Sequence, residues 1–190
     1  AASGDFDEAF AAFTRARSRA GKSDNALREA EAATWGPLFD LLATKASDVV
    51  FLDKVLETWQ ADPRRPEVPS AVATRLSERL LALGFGPQAR RLRQAQGATD
   101  DETRLFLARA DLAEDRPRES LRGLGGLAGD EAARLRARAL AAIGDAPGAI
   151  ATFDRLAETE EAAEVAWRAG DWDSYRRLRS DPRGDALRRI

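Results

Sequence analysis

Residues 144–153 read GDAPGAIATF, and the fold follows from this stretch. Gly144 and Asp145 supply a left-handed turn and a helix cap, and Pro147 suits the first turn of a new helix. Ala149 is a small residue one turn further on, where two helices can come close. Ile150, Phe153 and Leu156 then form an apolar stripe at i, i+3, i+6. Upstream, over roughly 129–143, Ala132, Leu135, Ala139 and Ile143 fall on one face of a preceding helix. Two amphipathic helices joined by a tight turn predict a helical hairpin with each stripe buried against the other.

The same frame recurs along the chain. Residues 4–13 read GDFDEAFAAF, with Ala9 five positions after Gly4 and Phe13 four after that, as Ala149 and Phe153 follow Gly144. Weaker copies start at Gly84 with Ala89, at Asp115 with Ser120 and Leu124, and at Gly170 with Tyr175. The turn positions 84, 115, 144 and 170 are 31, 29 and 26 residues apart, a helix-pair period. Helices are expected near 69–83, 86–96, 101–114, 117–124, 129–143, 146–158, 160–169 and 172–179, making four pairs. Farther upstream, 25–46 predicts a helix or two with a break at Gly36 and Pro37, and Ser47 and Asp48 offer caps for a helix through VVFLDKVLETW.

On these residues the chain resembles the tetratricopeptide repeat family, whose helix pairs carry a Gly at the turn, an Ala five residues later and a Phe or Tyr four after that. Gly4, Ala9, Phe13 and Ala16, and Gly144, Ala149 and Phe153, match best. The resemblance implies an all-α, right-handed α-solenoid of antiparallel helix pairs, with a generic helical bundle as the alternative. The repeats are shorter than the family's usual period of about 34 residues. The family's large aromatic early in the first helix and its repeat-end Pro are out of register. Its carboxylate-gripping Lys and Asn set is absent, so that peptide-end function does not carry over.

The expected organisation is an N-terminal helical segment at 1–60 that begins within a repeat, a Pro-rich linker at 61–68 inside QADPRRPEVPS, and helical repeats over 69–190. The opening segment matches only the second helix of a pair, and the chain contains no Met, so the array is expected to continue upstream of Ala1.

Composition narrows the chemistry. The 190 residues include no Cys, no Met and no His. That leaves no thiolate or imidazole nucleophile, no Cys/His zinc site and no disulfide. The net charge of −2 makes no electrostatic case for nucleic acid. Arg outnumbers Lys 27 to 3, a bias read as high-GC bacterial coding as much as a physical choice. The basic runs Arg64–Arg65 and Arg90, Arg91, Arg93 lack the interleaved aromatics that single-stranded nucleic acid requires. No run reaches the roughly 20 apolar residues of a membrane span. The expectation is a soluble chain, cytoplasmic or periplasmic, since absence of Cys suits either compartment.

The acid pairs Glu160/Glu164, Glu161/Glu164 and Asp171/Asp173 read as solvated helix ends rather than catalytic or metal-binding carboxylates. GLGGLAGD at 123–130 reads as a loop, not a phosphate cradle, because no strand precedes it and no GK[ST] follows. No cofactor or metal is expected.

Two groups remain as candidate partner-binding residues. Arg104, Arg109, Arg134 and Arg138 lie on first helices, where they would line a solenoid's inner groove and grip carboxylates of a bound peptide; the alternative is that they pair with neighbouring acids. Trp167, Trp172 and Tyr175 surround the last turn, either as a cover over the end of the array or as a docking surface. Trp35, Phe39 and Trp59 read as core anchors. The function expected is a noncatalytic protein-interaction scaffold that binds a peptide or protein segment. A helical accessory domain of a larger enzyme and a self-assembling structural subunit are the alternatives.

Overall fold

The computed structural model describes residues 8, 11, 12, 15, 25–61 and 68–179. The first copy of the repeat frame (Gly4, Ala9, Phe13 and Ala16), Arg64 and Arg65, most of the 61–68 linker and the Trp59 side chain lie outside what is described. Among the described residues the chain is all-α: ten helices are delimited, and there is no strand. They are α1 (Asn25–Lys45), α2 (Asp48–Ala61), α3 (Ser70–Ala82), α4 (Gly86–Gln94), α5 (Asp101–Ala113), α6 (Pro117–Gly123), α7 (Asp130–Ala142), α8 (Ala146–Arg155), α9 (Thr159–Ala169) and α10 (Trp172–Arg179). No helix among the described residues is long and apolar enough to cross a membrane.

The chain forms two compact units, Ala1–Gly97 and Ala98–Ile190. In the first, α1 packs on α2 and on α3, and α3 packs on α4. Phe39, Leu42, Phe51, Leu76 and Leu80 are fully buried there, and Trp35 stacks on Phe39 with ring centroids 5.3 Å apart. The break expected at Gly36 and Pro37 is absent: α1 runs through both residues. Gly36 has no Cβ to clash with the ring of the proline after it. A Cβ there would also come within 3.2 Å of Pro69, so the glycine lets α1 lie against the residue that opens α3.

Arg79 fastens this unit. From α3 it donates to the carbonyls of Leu42 (2.7 Å), Ala43 (3.1 Å) and Ala46 (2.6 Å), and to Asp48 Oδ1 (2.7 Å). Its guanidinium lies 4.5 Å from the centroid of the Phe51 ring. One side chain thus satisfies two of the orphan carbonyls that end α1, with that of Ala46 just beyond it, and pins the start of α2.

In the second unit each helix packs on the next, from α5 to α10, and α5 also packs on α7. The pairs α5–α6, α7–α8 and α9–α10, with α3–α4 in the first unit, are the four hairpins expected from the sequence, and their bounds agree to within about three residues. All four frame positions are left-handed, with φ of 85° at Gly84, 55° at Asp115, 88° at Gly144 and 71° at Gly170. The same two bonds close each turn. The longer one runs Phe85 N–H to Leu80 O (2.8 Å), Arg116 to Asp111 (2.8 Å), Asp145 to Leu140 (2.9 Å) and Asp171 to Ala166 (2.9 Å). The shorter one joins the left-handed residue itself to Leu81, Leu112, Ala141 or Trp167. This is the Schellman arrangement, in which the turn satisfies carbonyls the helix would otherwise leave orphaned.

Five positions on, Ala89, Ser120 and Ala149 are completely buried, as a close approach of paired helices demands. Caps follow the same logic. Asp100, Asp145 and Asp171 accept from the N–H of Thr103 (2.7 Å), Gly148 (3.0 Å) and Ser174 (3.1 Å), and Ser47 Oγ accepts from Val50 (3.4 Å). Two side chains depart from the expected stripes. Ile143 caps α7 and is 40 % exposed, whereas Ala132, Leu135 and Ala139 are buried as expected. Arg93 stands nine residues after Gly84, where Phe153 stands after Gly144; it too is buried, and it donates to Thr74 Oγ1.

Candidate functional site

The last hairpin brings its polar and aromatic residues to one groove. The inner face of α9 carries Ala162, Ala163 and Ala166, all fully buried. Ala162 and Ala166 pack with Ala137, Ile150 and Phe153, and Tyr175 and Leu178 of α10 lean on that cluster. On the outer face of α9, Glu160, Glu164 and Trp167 fall at i, i+4 and i+7, one stripe of a helix. Tyr175 and Arg179 fall four apart on α10. These two stripes, with Glu161, line a groove of about 430 Å³.

Within it, the rings of Trp167 and Tyr175 are 5.2 Å apart at 56°. Trp172 meets Trp167 edge-on at 4.9 Å and 85°, an orientation that suits the quadrupoles of both rings and fixes the Trp167 plane. Both indoles remain about half exposed, Trp167 at 55 % and Trp172 at 52 %.

Charge in the groove is unevenly met. Arg179 grips Glu160 as a fork, Nη1 to Oε1 at 3.2 Å and Nη2 to Oε2 at 2.9 Å. Glu164 is bridged by Arg168 one turn along at 2.5 Å. No ion pair or hydrogen bond joins the side chain of Glu161, which is exposed, to any described residue. The turn beneath is held by Asp171, whose carboxyl sits below the ordinary carboxylate range because Ser174 hydrogen-bonds to its charged form. Arg177 ties α10 back to α8 through Asp154 Oδ2 at 3.1 Å.

The four arginines singled out from the sequence occupy different situations. Arg104 donates to the carbonyls of Gly123 (3.0 Å) and Gly125 (2.6 Å), closing the end of α6. Arg109 lies 3.7 Å from Glu131 and 5.8 Å from the Phe106 ring centroid. Arg134 bridges from α7 to Glu158, at the foot of α9, through Nε (2.6 Å) and Nη2 (2.5 Å). That hydrogen bond, with the attraction of the carboxylate, pushes its pKa further up. Arg138 alone of the four is exposed with no partner among the described residues. Arg136, which the sequence did not single out, donates to Leu124 O (3.0 Å) and Leu127 O (3.1 Å). Arg104 and Arg136 therefore hold the Gly-rich 123–130 loop from both sides. The groove itself was missed in the sequence, although its aromatics were noted. The i, i+4, i+7 spacing of Glu160, Glu164 and Trp167 is the signal that points to it.

No group of three or more carboxylates that could hold a metal ion occurs among the described residues. Comparison with protein-family models, with curated proteins and with solved structures finds no match.

Proposed function

We propose that this chain is a noncatalytic protein-binding module, a tetratricopeptide-like right-handed solenoid of helix pairs, and that a partner segment docks in the α9–α10 groove. The observation that carries this reading is the pair of half-exposed indoles beside a groove, on a hairpin whose inner face is otherwise closed. Large aromatic side chains supply much of the energy of protein interfaces, and a fixed ring plane reduces the entropy lost on docking. The four left-handed turns with identical closing bonds support the repeat architecture. Arg138 is the member of the arginine strip best placed to reach a partner. For Arg104, Arg109 and Arg134 the internal contacts favour a fastening role within and between hairpins.

Selection of peptides from a random displayed library against the 190-residue chain tests the reading, with a Trp167→Ala variant as counter-screen. The expected result is a family of peptides retained by the native chain and lost by the variant. If every recovered peptide binds both equally, docking at this groove is wrong.

A further inference from the structure

We infer that the α9–α10 groove receives a lysine or arginine side chain from a basic partner segment, its cation against the Trp167 ring and its charge met by Glu161. The inference rests on the docking reading above and adds the chemistry of the occupant. Three carboxylates and one guanidinium line the groove; Arg179 meets Glu160 and Arg168, just outside the lining, meets Glu164, which leaves Glu161 as the carboxylate whose charge is unmet among the described residues. Arg179 lies in that wall with both terminal nitrogens on Glu160, so a guanidinium is already accommodated at the edge of the groove. Glu161 has no counter-charge among the described residues, and its partner must come from elsewhere or from solvent.

The macrodipole of α9 accounts for acids in its first turn, where Glu160 and Glu161 sit. It does not account for an indole left half open seven residues along the same stripe. An indole face beside carboxylates favours a cation twice over, through the ring quadrupole and through Coulomb attraction. An acidic segment would meet like charge there. An apolar one would strip water from carboxylates without replacing it, a desolvation cost with no return. Because the groove is open, its attraction is screened by salt.

Fluorescence anisotropy with short labelled Gly-Ser peptides tests this on the intact chain. One peptide carries several Lys and Arg, one carries Glu at the same positions, and one carries Leu. The basic peptide is expected to bind, to weaken as salt rises, and to lose about tenfold or more in affinity with Glu161→Lys, equivalent to about 1.4 kcal/mol. Glu119→Lys, the same charge change on α6, is expected to leave binding within about twofold, and Trp167→Phe to fall between the native chain and Trp167→Ala. Glu161 is exposed and makes no hydrogen bond or ion pair with a described residue, so Glu161→Lys keeps the test valid even where a tryptophan variant loses its fold.

A basic peptide weakened equally by Glu161→Lys and Glu119→Lys would reduce the effect to diffuse attraction and overturn the inference. Preference for the Glu or Leu peptide, lost in Trp167→Ala, would overturn the cation assignment and leave docking at the groove standing. Binding of none of the three would remove the docking reading as well.

Discussion

The hairpins α7–α8 and α9–α10 share a turn and differ in what they do with it. Both close through a left-handed glycine, Gly144 or Gly170, with the same pair of backbone bonds, and both begin their second helix with an aspartate cap. On α8, Ala149, Ile150, Thr152 and Phe153 are all buried, whereas no residue of α10 is. The turn therefore sets the hairpin, and the side chains of the second helix decide whether the pair seals a core or offers a surface. Tyr175 shows the difference at one position: it stands where Ala149 stands in the frame, five residues past the glycine, and its ring is partly buried against the core cluster where the Ala149 methyl is wholly enclosed.

Substitutions can break that comparison. The largest effect is expected for Phe153→Ala, about 3–5 kcal/mol lost in urea unfolding, against about 1 kcal/mol or less for the half-exposed Trp172→Ala. Equal losses would mean that α10 is as much a part of the core as α8. Ala149→Leu should cost about 1–3 kcal/mol by overpacking, while Tyr175→Leu at the equivalent place should cost less than about 1 kcal/mol. A neutral Ala149→Leu would contradict the close approach of α7 and α8.

At the turns, Gly144→Ala is expected to lose about 1 kcal/mol because an alanine resists the left-handed conformation. Asp115→Gly is expected to gain a few tenths, since it relieves the one non-glycine among the four turn positions. The smallest effect concerns acid. The Asp171 cap has a folded pKa below its unfolded value, so its contribution is complete above about pH 4 and disappears as the pH falls through the lower folded value. A fluorescence titration of the chain should show α10 loosening in that range, and Asp171→Asn should flatten it. Loosening centred near neutrality would break the assignment.

Much of this architecture was legible because it is local. A glycine or aspartate at the turn, a small residue five positions on and an apolar stripe beyond it all lie within about ten residues, so the sequence pattern carries them directly. What escaped was set across longer separations. Pro37 predicted a break that the helix does not show; Gly36 before it has no Cβ to meet the proline ring, and Pro69, more than thirty residues on, packs where that Cβ would be. Arg79 reaches carbonyls more than thirty residues away, and nothing around it announces that role. Arg93 looked like part of a basic run, yet it fills a core position, where it donates a hydrogen bond to Thr74 Oγ1 on the neighbouring helix. Trp167 and Trp172 were visible as aromatics, but the groove depends on how α9 and α10 face each other.

The arginine fastenings also set how the molecule meets a change of environment. Those on the 123–130 loop and at the end of α1 run mainly from guanidinium to neutral carbonyl, so only one partner of each bond carries a charge. The Arg134–Glu158 link at the foot of α9 instead joins two opposite charges. Between successive hairpins the Arg134–Glu158 link is therefore a fastening that depends on two opposite charges, and one that added salt screens more than the charge-to-carbonyl bonds that hold the loops.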